Sequence, residues 1–288
     1  MSFQFEVPQF VKRQQRDLSR ILVHFTNQCN GASLISSAVK LAQLKQATLR
    51  GMTIIDTTRL LDDLSQEGSA AFAAYETERM SEWDKNRDEI RSNFSFSCLA
   101  AGLDFDLCSK QGNTLKIVAN ESRFQDLLIT SATRQKKPVP VELSAASAIE
   151  VIRTAHCPTL VLRDQPNSIE RVLMVHDGSK ESSRAFSSFH SQCLFPNATF
   201  RLITIQNSQA DAERLLSEQY HQFEANSYQF EHGYLVGKPS TLLPQYIENW
   251  EADLVVYGVK EKRPLVDKMI GQTSELILKK TSASLYSA

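Results

Sequence analysis

The sequence predicts an α/β protein made of two tandem domains, each an open parallel sheet of Rossmann-like type with helices on its faces. Three observations carry that expectation. The chain repeats its own plan once, at offsets that stay constant within blocks. Within each copy, short runs rich in Val, Ile and Leu alternate with stretches of helical periodicity. Alternation of this kind joins parallel strands through right-handed crossovers.

The repeat shows in three blocks. Arg20 to Thr26 (RILVHFT) matches Arg171 to Asp177 (RVLMVHD) at an offset of 151 residues. Ala47 to Asp56 (ATLRGMTIID) matches Ala198 to Asn207 (ATFRLITIQN) at the same offset. Asp126 to Thr130 (DLLIT) matches Asp253 to Tyr257 (DLVVY) at an offset of 127, which holds through Thr154 and Thr281. The first copy therefore carries 24 additional residues between positions 56 and 126. The domains are expected over 1–164 and 165–288. The polar segment from Leu162 to Ile169, which contains Pro166, serves as the linker.

The runs 21–25 and 172–176 are apolar almost throughout, as in strands buried on both faces. Gly31–Lys45 follows, with Leu34, Ile35, Ala38, Val39, Leu41 and Ala42 at helical spacing. A strand over 48–55 comes next. The stretch 67–101 carries Phe72, Met80, Trp83, Ile90, Phe94 and Cys98 near a period of 3.6 and predicts one long helix, closed by Gly102. Because it holds the 24 extra residues, it should outlast the matching helix near 210–225. Its apolar face, with Met80, Trp83 and Ile90, should then project and need cover. A strand over 103–109, a helix over 115–121, a strand over 127–130, a helix over 145–153 and a last strand Thr159–Leu162 complete the copy. In the second copy, Gly237-Lys-Pro-Ser240 reads as a turn capping the next helix. The last strand there, 285–287, stops at Ala288 and is shorter than its counterpart. The halves should pack as a pseudo-twofold pair, yet any contact through their last strands should be lopsided or replaced by helix packing.

Composition bounds the function. Hydrophobic residues make up 42% and charged residues 23% of the 288, enough apolar material for a substantial core. Lys and Arg number 32 against 33 Asp and Glu, so nothing in the balance asks for nucleic acid or an anionic membrane. The five cysteines are dispersed without CxxC spacing, which fits reduced thiols. The N-terminal segment lacks the apolar core of a signal peptide, and no run is long enough to span a membrane, so a cytoplasmic protein is expected. The signatures Gly-x-Ser-x-Gly and His-Glu-x-x-His are absent from the sequence. His24 and His176, at the ends of matching strands, are expected as buried structural residues, and His156-Cys157 lacks neighbouring metal ligands.

Two segments of the second copy carry the chemistry. Asp177-Gly-Ser179 follows its first strand, and Gly258-Val-Lys-Glu-Lys-Arg-Pro-Leu-Val-Asp-Lys-Met-Ile-Gly271-Gln-Thr273 follows its fourth. Ligands on open α/β sheets bind outside the carboxyl ends of the strands, where the order reverses. Together with Ala155-His-Cys-Pro-Thr-Leu-Val-Leu162, these segments resemble the universal stress protein family, in its tandem form, over roughly 18–164 and 169–288. The resemblance implies an adenine nucleotide alpha-hydrolase-like fold and an ATP or AMP site. It places Asp177 on the ribose or base, Ile205 beside the adenine, and Gly258, Gly271, Gln272 and Thr273 around the phosphates.

The family spacing of Gly, two residues, Gly, nine residues, Gly, Ser/Thr is altered here. Glu261 stands at the middle glycine and Gln272 at the hydroxyl position. In the first copy the matching residues are Ser131, Arg134, Ser144 and Ala145, with Thr26 in place of Asp177. A carboxylate facing phosphate is repulsive, and a side chain blocks close backbone approach. The expected function is therefore a non-enzymatic stress-response regulator of the universal stress protein type. It would act by protein contacts or weak ligand binding, with no cofactor and no metal. The alternatives are an ATP/AMP-binding switch through the second domain and, behind it, a nucleotide-dependent enzyme of the same superfamily. Partners are expected to be proteins, a homodimer among them, with no nucleic acid and no membrane.

Overall fold

The structure, a computed structural model, describes residues 18–26, 31–56, 70–132, 145–163, 168–224, 230–260 and 272–288. The first half runs β1 (Arg20–Phe25), α1 (Gly31–Lys45), β2 (Thr48–Ile55), α2 (Ala70–Ala100), β3 (Phe105–Gln111), α3 (Thr114–Ser122), β4 (Leu127–Ser131), α4 (Ala145–Thr154) and β5 (Thr159–Leu162). The second runs β6 (Arg171–His176), α5 (Lys180–Gln192), β7 (Thr199–Gln206), α6 (Gln209–Glu224), β8 (Phe230–Val236), α7 (Pro239–Trp250), β9 (Leu254–Tyr257), α8 (Gln272–Lys280) and β10 (Ser284–Ser287).

Local chemistry sets several of these boundaries. Asn113 caps α3 by accepting the Lys116 N–H at 3.0 Å. Gly102, at φ 66°, closes α2 where a side chain would be strained. Gly237 turns the chain at φ 142° and hands it to Pro239 in the first turn of α7, as the sequence suggests.

The ten strands among the described residues form one sheet, ordered β3-β2-β1-β4-β5-β10-β9-β6-β7-β8. Each half supplies five parallel strands in the order 3-2-1-4-5, and the two predicted sheets are joined edge to edge. A shared aspartate aligns the centre of each half. Asp126 accepts the Ser19 and Arg20 N–H groups at 3.0 and 2.9 Å, and its match Asp253 accepts those of Glu170 and Arg171 at 2.9 and 2.8 Å. Each carboxylate thus fixes where the first strand starts beside the fourth.

The seam corrects one expectation. β5 and β10 are both four residues long and pair antiparallel, Leu160 opposite Tyr286 and Val161 opposite Leu285. The contact is symmetric rather than lopsided. The reason lies ahead of the strand. Between Thr281 and the last strand the second half is two residues shorter than the first, so β10 starts at Ser284 and is complete by Ser287.

Helices cover both faces of the sheet. One apolar cluster holds Leu34 of α1, Phe94 of α2, Phe186 of α5 and Leu216 of α6, and it crosses the seam through Leu160 and Tyr286. On the other face Ile149 of α4 packs in one cluster with Leu243 of α7 and Ile277 of α8, while Val118 of α3 and Val151 of α4 share a third. Both faces are therefore continuous between the halves, and the hydrophobic burial that drives folding is shared.

Helix α2 has 31 residues against 16 in α6, about 46 Å against 24 Å, so the extra residues do lengthen the middle helix. Ile90, however, is not on a projecting face. It is buried against Gly31 of α1, with Phe94 and Cys98 following on the same stripe. The side chains of Met80 and Trp83 lie outside the described residues. No helix among the described residues is long and apolar enough to cross a membrane. The four described cysteines, Cys98, Cys108, Cys157 and Cys193, are free thiols.

Candidate functional site

The strand order reverses between β6 and β9. The chain leaves β6 for β7 on one side and finds β9 on the other, so the carboxyl ends of β6 and β9 form a fork. Asp177 stands just beyond β6 at this fork. Its Oδ1 accepts the Ser179 N–H at 3.0 Å, the Ser179 hydroxyl at 2.5 Å and the Ser182 hydroxyl at 2.7 Å. Its Oδ2 faces Lys260 Nζ at 3.4 Å. The phenol of Tyr257, the last residue of β9, lies between Asp177, to which it donates, and the Thr273 hydroxyl at the start of α8, which donates to it. Burial pushes the Asp177 carboxyl up, but the bonds from Ser179 and Ser182 with the Lys260 ammonium outweigh it and hold the group below its ordinary value. Burial also pushes the Tyr257 phenol up, with the Asp177 charge adding to it, so the phenol stays protonated.

The same serines start helix α5. Ser179 is its N-cap and accepts the Ser182 N–H at 3.2 Å. Asp177 therefore holds a cap that is itself tied to the carboxylate. His176 completes the turn: its Nδ1 accepts the Gly178 N–H at 2.9 Å, which leaves Nε2 to donate to Ser183 Oγ at 3.1 Å. Burial lowers the His176 pKa, against the pull of Asp177.

The site residues expected from sequence divide three ways. Asp177, Gly258 and Thr273 are brought together at the fork. Ile205 follows Thr204, which pairs with His176, and its side chain is buried in the core cluster with Ile203 and Leu243. Gly271, like Glu261, Ser144 and Arg134, lies outside the described residues, as does the side chain of Gln272. Gly258 has a role that the sequence did not indicate. A Cβ there would lie 2.2 Å from the Ser182 nitrogen and 2.4 Å from the Glu181 carbonyl carbon. Its glycine identity lets the N-terminal turn of α5 rest on the end of β9.

Tyr257, Ser182 and Lys260 were missed as members of the cluster. A signal was present. Tyr257 and its match Thr130 are both polar residues ending an apolar run. In the first half Thr130 serves a different partner, with its hydroxyl 3.3 Å from His24 Nδ1 and 3.2 Å from the His24 carbonyl oxygen. Position 26 there is Thr. Ser131, the match of Gly258, keeps a buried hydroxyl with no hydrogen-bond partner among the described residues. His24 and His176 are both buried, as expected, but they are not matching positions: at an offset of 151, His176 corresponds to Phe25. Their rings point to opposite faces of the sheet.

No protein-family model matches the chain. A universal stress protein of Synechocystis, Slr1230, is 24% identical over 139 residues, 48% of this chain and 48% of that protein. The match therefore spans about half the length of that relative. Among solved structures, a universal stress protein from Archaeoglobus fulgidus superposes over 92% of this chain and 94% of its own, with TM-score 0.70 and 13% identity. The chain is thus similar to universal stress proteins in sequence over about half its length and shares their fold over nearly all of it. A further structure of the universal stress protein type, from Pseudomonas aeruginosa, covers 95% of this chain and 93% of its own, with TM-score 0.59 and 17% identity. Full-length coverage by such folds agrees with the tandem arrangement, in which two universal stress protein-like halves share one sheet.

Proposed function

We propose that the protein is a non-enzymatic stress-response regulator that works through protein contacts, and that the fork of its second half is a structural polar cluster rather than a nucleotide cradle. The supporting observation is the state of Asp177. Three donors occupy Oδ1 and an ammonium sits on Oδ2, so the groups that would meet a ribose are already spent within the protein. A ligand would have to displace bonds of the α5 cap to reach this carboxylate. Gly258, in turn, meets helix backbone on its Cβ side. The degenerate spacing of the loop after β9, with Glu261 and Gln272, points the same way.

One observation favours a second reading, an ATP- or AMP-responsive switch in the second half. Lys260, Thr273 and the N-terminus of α5 converge on one fork, and an ammonium, a hydroxyl and helix amides suit a phosphate. A thermal-shift series with ATP, ADP and AMP separates the two. The first reading expects no change in melting temperature at millimolar nucleotide. A saturable rise of several degrees, abolished by Lys260→Met, would establish the second.

A further inference from the structure

We infer that Arg153, a residue of the first half, positions Lys260 and so completes the polar cluster of the second half. Arg153 sits on the last turn of α4. Its Nε–H donates to the Lys260 carbonyl oxygen at 3.0 Å, while its Nη1 donates to Glu150 Oε1 at 2.8 Å. Glu150 thus sets the plane of the guanidinium, and the remaining edge reaches across the seam. The side chain is 14% exposed, so the bond is sheltered from competing water.

The neighbouring residue is held from the seam as well. The Val259 N–H donates to Ser287 Oγ at 3.1 Å, and Ser287 lies on β10, which pairs with β5 of the first half. Two consecutive residues leaving β9 are therefore anchored by groups at the junction of the halves. Lys260, fixed through its backbone, carries the ammonium that faces Asp177 Oδ2. Among the described residues, the other groups facing Asp177 come from the second half: Ser179 and Ser182 from the start of α5, Tyr257 from β9, and the His176 ring beside it. At the matching position of the repeat the residue is Lys280. No ligand enters the inference, so it holds whichever reading of the function is correct.

The test is a titration of the Asp177 carboxyl by carbon NMR in the full chain, run on a cycle of variants. Arg153→Ala should raise the Asp177 midpoint by about half a pH unit, because Lys260 is no longer held beside it. Lys260→Met should raise it at least as far. In the Lys260→Met background, Arg153→Ala should add nothing. Arg153→Lys, which keeps a cationic donor, should recover at least half of the shift. Amide exchange at Val259 should quicken in Arg153→Ala and not in Lys260→Met. If Arg153→Ala does not fold, Glu150→Gln, which releases the guanidinium plane, should give a shift of the same sign. An unchanged Asp177 midpoint in the folded variant would overturn the inference, and so would an equal shift with and without the Lys260 side chain.

Discussion

Leu160 of the first half stands opposite Tyr286 of the second, and under the repeat this pair is the image of Val161 opposite Leu285. The two halves thus meet about a local twofold between their last strands. Tyr286 is fully buried there, with its ring 5.0 Å from that of Phe189 and its hydroxyl 2.9 Å from Gln192 Oε1 and 3.0 Å from Ser188 Oγ. Gln192 continues across the seam, donating to the Asp126 carbonyl oxygen at 2.7 Å. Asp126 is the residue that aligns β1 with β4, so the seam and the centre of the first half are mechanically linked.

Because both faces of the core cross this seam, the two halves should unfold together. Urea unfolding followed by tryptophan fluorescence and by circular dichroism should give coincident single transitions. Tyr286→Phe leaves the Gln192 oxygen without its donor and should cost about 1–2 kcal/mol while keeping one transition. Two separated transitions in the wild type would contradict the shared core.

Two glycines should respond in opposite directions to the same change. Gly258→Ala drives a methyl into the backbone of Glu181 and Ser182 and should destabilise by about 3 kcal/mol. Gly233→Ala, in β8, meets no atom within 4 Å and should be neutral or stabilising by about 0.5 kcal/mol. Denaturation midpoints of the two variants check the pair. A mild Gly258→Ala would show that α5 does not rest on β9 as described.

His24 should make stability depend on pH. Its ordinary value of 6.5 is lowered to about 4 by burial. The unfolded chain therefore takes up the proton first, so stability is fully present above pH 6.5 and falls as the pH drops toward 4. The loss is on the order of 3 kcal/mol. His24→Val, the residue found at the matching position 175, should flatten this slope. Thr130 keeps its bond to the carbonyl oxygen at that position, so the variant should fold. Unfolding free energies at pH 7, 5.5 and 4.5 decide the matter.

The fold was legible because its signals are local. Offsets of 151 and 127 aligned the halves, and apolar periodicity placed α1, α2 and α4 within a few residues. The seam was misread because strand length was judged from the distance to the C-terminus, whereas a two-residue deletion before β10 restores it. The site was only half legible. Asp177 and Thr273 follow strands and announce themselves, but the occupancy of Asp177 depends on Ser182, Tyr257 and Lys260, which no spacing rule connects to it. The alternation of β7 turns the Ile205 side chain into the core. Gly258 fits a phosphate loop and a tight helix contact equally well on paper, and only the direction of its absent Cβ separates them.

The central claim, that the fork of the second half is a satisfied structural cluster, is tested most directly by calorimetry with ATP. The account predicts no saturable heat for the wild type at about 1 mM nucleotide, and a measurable gain for Glu261→Gly combined with Gln272→Ser, which removes a like charge and restores a hydroxyl. The parallel repair in the first half, Arg134→Gly with Ala145→Ser, should gain nothing, because Thr26, Ser131 and Ser144 are unchanged. Wild-type binding at micromolar Kd or tighter, lost on Asp177→Ala, would contradict the account.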